Sequence, residues 1–288
     1  MITVIQIRKE EHMRYKIIGD SCCDFTRQDI SEGHAVRVPM SIIIGGVEYP
    51  DDGHRKQEDW IRLIKEDEGY PQSACPSPDA FMETFEDDCM NFVITLSSKL
   101  SGVYNSAMLA KEMYEEEHEG ALIHVFDSKS AAAAQHLIYE TIREQAELGR
   151  SFEEIVDYVE DYRDTMSTIF VLDDLETFKR NGRLKGIRAL VATTMNIKPV
   201  LWGDDGEIKQ IDQAVGMNRA VNHMLQIIEK ADVDKSRKVR ITQCDSKALC
   251  RKVALVLTEK FGFTDVKILS AGGISTAYEN PGGVIVSY

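Results

Sequence analysis

Three short apolar runs in the first half of the chain end in hydroxyl and carboxylate residues. Lys16-Ile17-Ile18-Gly19 leads into Asp20-Ser21, Phe92-Val93-Ile94-Thr95-Leu96 into Ser97-Ser98, and Leu122-Ile123-His124-Val125-Phe126 into Asp127-Ser128. Such runs, bounded by turn residues, read as strands buried on both faces, and helical segments follow the second and third. This pattern predicts an α/β chain with an N-terminal, mostly parallel sheet flanked by helices. The carboxyl ends of parallel strands form the ligand crevice. Several small hydroxyls, backed by helix N-termini, are therefore expected at one sheet edge, a place suited to an anionic group.

Residues 14–150 alternate strand and helix, with 1–13 as an extra arm before the first strand. Ser101 reads as the cap of a helix over 101–118, and Asp127 or Ser128 as the cap of one running from near Lys129 to Gly149. The segment 50–70 reads as a loop and a short amphipathic helix, 152–163 as a helix and 168–172 as a strand. Beyond that, helix mixes with antiparallel strand. Gly203-Asp204-Asp205-Gly206 marks a turn between strands over 197–202 and 207–213. Helices are expected over 219–231 and 246–261, strands over 239–243 and 266–269. We expect two domains, an N-terminal α/β domain over 1–160 and a C-terminal mixed α/β domain over 161–288.

A chain of 288 residues has ample core for this. No run approaches the roughly 18 apolar residues of a membrane span, and the N-terminus is too charged for a signal peptide. We expect a soluble, cytoplasmic protein without stable membrane insertion. A formal net charge of −14 argues against nucleic acid and anionic membrane as partners. None of the six cysteines has C-x-x-C spacing and the histidines lack ligand spacing, so reduced, mostly buried thiols and no metal are expected.

Four segments could carry chemistry. In Ser97–Ala107 (SSKLSGVYNSA) two serines follow a buried strand and a Ser-Gly opens a helix, where orphan N–H groups favour a carboxylate or phosphate. The same serines could merely cap that helix. In Gln72–Phe81 (QSACPSPDAF) two prolines stiffen an extended loop whose Ser73 and Ser77 could face a ligand, while Ser77 with Pro78 also reads as a helix start. Between Lys179 and Arg188 there are five basic residues and no acids, a docking patch for an acidic partner or phosphate, or a solvated helix face. Gly272-Gly273 and Gly282-Gly283 allow close backbone approach or tight turns.

Together these segments resemble the DegV family of bacterial fatty-acid-binding proteins, over Ile17 to Tyr288. The D-S-x-x-D motif stands at Asp20-Ser21-Cys22-Cys23-Asp24 and the T-S-x-P-S-P loop at Ser73–Pro78. The S-S-x-L-S-G-x-Y-x-S-A signature stands at Ser97–Ala107, F-D-S-K at Phe126–Lys129, G-R at Gly182-Arg183 and K-P-V-L at Lys198–Leu201. The resemblance implies a long-chain fatty acid in a tunnel between two domains and no catalytic residue or cofactor of the chain's own. It implies that Ser73 and the Ser97-Ser98 pair, Ser98 above all, hold the carboxylate, with Tyr278, Gly272 and Gly273 near it. It also implies a partner fatty acid kinase that phosphorylates the bound acid and is faced by Arg183, with Lys179 and Arg180.

Two positions depart from the family pattern. The histidine of A-H-T-G-P-G is replaced by Tyr278 in Ala277–Gly282, and an arginine after the G-x-I turn falls on Val215. Tyrosine donates a hydrogen bond but supplies no charge near neutral pH. The alternatives are a scaffold or regulatory protein with a vestigial cavity, and a serine ester hydrolase built on Gly19-Asp20-Ser21. The hydrolase lacks its base: the D-x-x-H of this chain is Asp51–His54, early in sequence, and no histidine follows His223.

Overall fold

The computed structural model describes residues 13–67, 69–184 and 196–288. Met1 to Glu11 of the expected arm, with His12, and Lys185 and Arg188 of the basic segment lie outside the described residues. The three apolar runs form β1 (Arg14–Asp20), β6 (Cys89–Thr95) and β7 (Leu122–Asp127), which pair in parallel with β2 (Ala35–Val38) in the order β2-β1-β6-β7. Ile17 stands beside Phe92, and Phe92 beside His124, so both faces of the inner strands are apolar and buried. The order reverses between β1 and β6, the type of position where such sheets open a crevice.

The layers around this sheet come from α1 (Arg27–Ser31), α2 (Gln57–Glu66), α3 (Pro78–Met82), α4 (Val103–Glu117), α5 (Ala133–Glu147) and α6 (Phe152–Asp164). A small antiparallel sheet, β3 (Ser41–Ile44), β4 (Val47–Pro50) and β5 (Gln72–Ala74), is ordered β4-β3-β5. Ser73 therefore sits in an edge strand, paired with Ile42, rather than in a loop.

The second large sheet is mixed. It is built from β8 (Thr168–Val171), β9 (Ile197–Asp204), β10 (Glu207–Val215), β11 (Lys238–Gln243), β12 (Asp265–Ser270) and β13 (Val284–Ser287), in the order β10-β9-β8-β13-β11-β12. Only β11 and β12 run parallel among its described pairs. Asp205 (φ 45°) and Gly206 (φ 85°) close the β9–β10 hairpin, both in the left-handed region that a tight two-residue turn requires. Its helices are α7 (Glu176–Arg180), α8 (Met217–Lys230) and α9 (Lys247–Leu255), whereas α10 (Gly273–Glu279) packs back on α2 and β3.

Helix α5 is buried along nearly its whole length because it contacts β1 and β6 on one side and β11 and β13 on the other. It begins at Ala133, not near Lys129. Lys129 (φ 49°) and Ala132 (φ 53°) turn the chain left-handed before it, so neither Asp127 nor Ser128 caps it. Ser101 likewise caps nothing: α4 opens at Val103 behind Gly102 without a side-chain cap. Ser77 does cap α3, accepting from Ala80 N at 3.3 Å with Pro78 at the first position. Among the described residues no helix is long and apolar enough to cross a membrane.

Candidate functional site

A cavity of about 70 Å³ lies where the parallel sheet, the small sheet and β13 of the mixed sheet approach one another. Leu96, Leu100, Phe178, Ile274 and Ile285 supply an apolar lining. Its polar groups are few. Ser73 Oγ, from edge strand β5, lies 3.0 Å from Tyr278 OH on α10, the two hydroxyls sharing one hydrogen bond. Phe178 of α7 packs edge-on against the Tyr278 ring with centroids 5.0 Å apart. Two hydroxyls at one end of an apolar space make a mouth that can receive an acid head and a lining that can receive a tail.

Arg183 also lines this cavity. Its Nε donates to Leu100 O at 3.3 Å and its Nη1 to Asn181 O at 2.5 Å, so both anchors are neutral carbonyls. No carboxylate of the described residues pairs with it. Leu100, Ser101 and Arg183 line a larger surface cleft as well, about 1280 Å³, bounded by Ser98, Lys99 and the outer strand β10. Cleft and cavity thus share a wall, and the guanidinium stands in it. Lys179 and Arg180 point elsewhere: both are exposed and engage Glu176, and Arg180 stacks 4.4 Å over the Tyr70 ring.

Ser97 and Ser98 are not brought to the Ser73–Tyr278 pair. The fully buried Ser97 Oγ donates to Gly206 O at 2.8 Å and accepts from Lys99 N, tying the β6 end to the β9–β10 turn. Ser98 donates its hydroxyl to Asp127 Oδ2 and its N–H to Oδ1 at 3.1 Å. Asp127 Oδ1 also accepts from Lys129 N at 2.9 Å, so its carboxyl is used at the strand end, well before α5 begins. Ser98 faces the cleft rather than the cavity.

Gly272 and Gly273 meet internal carboxylates. Gly272 N donates to Asp24 Oδ1 at 2.7 Å, while Gly273 N and Ile274 N donate to the two oxygens of Asp51 at 3.1 and 2.8 Å. The amides expected to receive an anion are thus occupied by the chain itself. A Cβ on Gly273 would lie 2.7 Å from the Asp51 carboxyl and from the Trp60 ring, so glycine is required for this approach. Asp20 completes the group, accepting from Cys22 N, Leu96 N and Gln135 Nε2. Burial pushes Asp20 up to about 6 and Asp24 to about 7, and raises Asp51, against the lowering effect of those hydrogen bonds.

The D-S-x-x-D motif is therefore a clamp. Ser21, the hydrolase candidate, donates to Asp51 O and accepts from Met40 N, both at 2.9 Å, with its hydroxyl buried and no base beside it. Val215 is exposed at the end of β10, away from the cavity lining. Among the described residues no group of three or more His, Cys, Asp or Glu is placed to hold a metal ion. All six cysteines are free thiols, and Cys75 alone is exposed. Sequence reasoning gave no role to Glu279, fully buried on the cavity wall; its sole signal was a carboxylate where the family pattern has threonine.

An α/β protein with a mixed second sheet and an apolar cavity headed by hydroxyls is the class that fold and site define. The model of the DegV family, described as an uncharacterised protein family, matches residues 14–288, and the chain belongs to that family. A DegV domain-containing protein of Streptococcus pneumoniae is 30% identical over 279 residues, covering 96% of this chain and 99% of its own. A DegV family structure from Ruminococcus gnavus, refined with vaccenic acid, matches with TM-score 0.92 and 37% identity over 96% of this chain and 100% of that one. The Streptococcus pneumoniae Fatty Acid Kinase (Fak) B3 protein, loaded with linoleic acid, matches with TM-score 0.88 and 29% identity over 96% and 99%. A Eubacterium eligens protein loaded with heptadecanoic acid gives 0.86 and 31% over 95% and 98%.

Proposed function

We propose that this protein binds a long-chain fatty acid and presents it to a partner fatty acid kinase, acting as carrier rather than catalyst. The observation that carries this reading is the Ser73–Tyr278 hydroxyl pair at the end of an apolar cavity, with Arg183 in the same lining. The fatty acids held by the similar proteins from Ruminococcus gnavus and Eubacterium eligens support the ligand class, and the Fak B3 protein supports the kinase partner. The acyl chain lies in a tunnel between two domains, 1–160 and 161–288, whose division falls within α6.

The carboxylate is held by Ser73 and Tyr278, with the Arg183 charge replacing what Tyr278 and Val215 fail to supply. Ser97 and Ser98 act indirectly, by fixing the strand ends behind the cleft. Lys179 and Arg180 remain on the exposed face that a kinase would meet. Burying about 15 methylenes at roughly 0.8 kcal/mol each offers on the order of 12 kcal/mol before ordering costs. Ligand sites usually enclose some 300 Å³ or more, so loading parts the lining of this smaller cavity. Five-residue α7, which has no side-chain cap and sets Phe178 on Tyr278, is the element best suited to move.

The deciding experiment is to denature the purified protein, extract with organic solvent and identify lipid by mass spectrometry. Near-stoichiometric C14–C18 acid is expected. An empty extract, with no thermal shift on adding those acids, favours a scaffold with a vestigial cavity.

A further inference from the structure

Glu279 ends helix α10 and is 1% exposed, yet neither of its carboxyl oxygens has a hydrogen-bond partner among the described residues. It lines the same apolar cavity as Ser73 and Tyr278. Leaving a buried polar group unmet costs about 1–3 kcal/mol, and more for a charge. Native structures therefore meet such groups with protein, water or ligand. Burial, with Asp24 nearby, pushes this carboxyl far above its ordinary range, which favours the protonated form. In that form it offers one donor and an acceptor.

The Cys244 backbone N–H stands beside it and favours the charged form, but it makes no hydrogen bond of good geometry to either oxygen. Leu172 and Gly283 pack against its stem, and a Cβ on Gly283 would collide with it. The nearby Ser275 hydroxyl is already given to Asp24 at 2.9 Å. A purely aliphatic tail would leave the carboxyl unmet and bury it further.

We propose that Glu279 selects an oxygenated acyl chain, so that the physiological ligand is a hydroxy or oxo fatty acid whose chain oxygen hydrogen-bonds the Glu279 carboxyl. This rests on the fatty-acid reading above and narrows it. A hydroxyl or keto oxygen on the chain pairs with a neutral carboxylic acid without any buried charge. The acid head remains at Ser73 and Tyr278. A site built to hydrogen-bond a ligand oxygen discriminates strongly against the analogue lacking it, since its own polar group is then stranded.

The test is a competition binding series on the full-length protein. Stearic acid is compared with hydroxystearic acids substituted at successive positions from 2 to 12, and with 12-oxostearic acid. At least one oxygenated acid should bind ten-fold or more tighter than stearic acid. Glu279→Leu should abolish that preference while keeping or improving stearic acid affinity, and Glu279→Gln should retain most of it. Stearic acid binding as tightly as every oxygenated acid would overturn the proposal and leave the fatty-acid reading standing, with water meeting Glu279. A preference that survives in Glu279→Leu overturns it equally. If no acid of either kind binds, the fatty-acid reading fails and the proposal falls with it. Should Glu279→Leu not fold, the unmodified protein and Glu279→Gln still decide.

Discussion

Ser73 and Tyr278, 205 positions apart in sequence, meet hydroxyl to hydroxyl at 3.0 Å across the mouth of the apolar cavity. One comes from an edge strand and the other from the penultimate helical position of α10. Either atom can donate, so the pair can turn both hydrogens toward an incoming carboxylate and lose little. Removing one donor from a hydrogen bond to a charged group costs about 1.5–3 kcal/mol. Ser73→Ala and Tyr278→Phe should each weaken fatty-acid affinity roughly 10- to 100-fold and leave the unfolding midpoint nearly unchanged. Titration calorimetry with a C18 acid checks this; equal affinities in all three proteins would place the head group elsewhere.

Arg183, which the family resemblance would turn toward a kinase, stands in the wall between cleft and cavity, held by two carbonyls. A guanidinium with neutral anchors keeps its charge available to a carboxylate. Arg183→Gln should therefore lower the lipid recovered from purified protein, whereas Lys179→Glu with Arg180→Glu should leave lipid content intact and slow phosphorylation by the kinase. Quantitative mass spectrometry of extracts separates the two. Normal lipid content in Arg183→Gln would return that residue to a docking role.

The carboxyls of Asp20 and Asp24 give the fold an unusual pH response. Each titrates near 3.8 when exposed, and in the folded chain near 6 and 7 respectively. Between those limits the folded protein holds protons that the unfolded chain has released. Stability from these groups is therefore full below about pH 4 and declines as pH rises toward 7, by up to about 1.4 kcal/mol per pH unit for each group. Asp24→Asn should flatten this slope, because asparagine can still accept from Gly272 N and Ser275 Oγ. Urea unfolding of both proteins at several pH values from 4 to 8 checks the difference; parallel curves would show that Asp24 is ionised throughout.

The sequence made the strands of the parallel sheet legible because each is a dense apolar run with a polar end. It did not make legible what those polar ends bind. Asp24 and Asp51 take amides from residues more than two hundred positions away, and Asp127 turns sideways to Ser98 instead of forward to its own helix. Such choices depend on which loop the tertiary fold delivers, and local capping rules see only the next helix. The strands β2 to β5 and β13 were missed for a related reason. They are three or four residues long, too short for periodicity to register. The proline-stiffened segment drew attention to Ser73 and the family motif to Tyr278, but neither neighbourhood points to the other, so their pairing was not legible.

A buried ion pair joins helix α5 to the second large sheet. Arg240 on β11 is fully buried, and its guanidinium meets Glu140 of α5 at 2.6 Å and Asp265 at the start of β12 at 3.0 Å. Lys267 adds a second cation on Glu140 at 3.1 Å. Burial of the pair is costly in itself, so its net contribution is small, yet removing one partner leaves the other buried with only a partly exposed counter-charge, Asp265 for Arg240 or Lys267 for Glu140. Glu140→Gln should destabilise the protein by about 3–5 kcal/mol and Arg240→Met by a similar amount. The double variant Glu140→Leu with Arg240→Met should recover much of that loss, because no unpaired charge remains in the α5 interface. Urea midpoints of the three variants test this; a double variant whose loss equals the sum of the singles would show that Glu140 and Arg240 act independently and that no stranded charge accounts for the single losses.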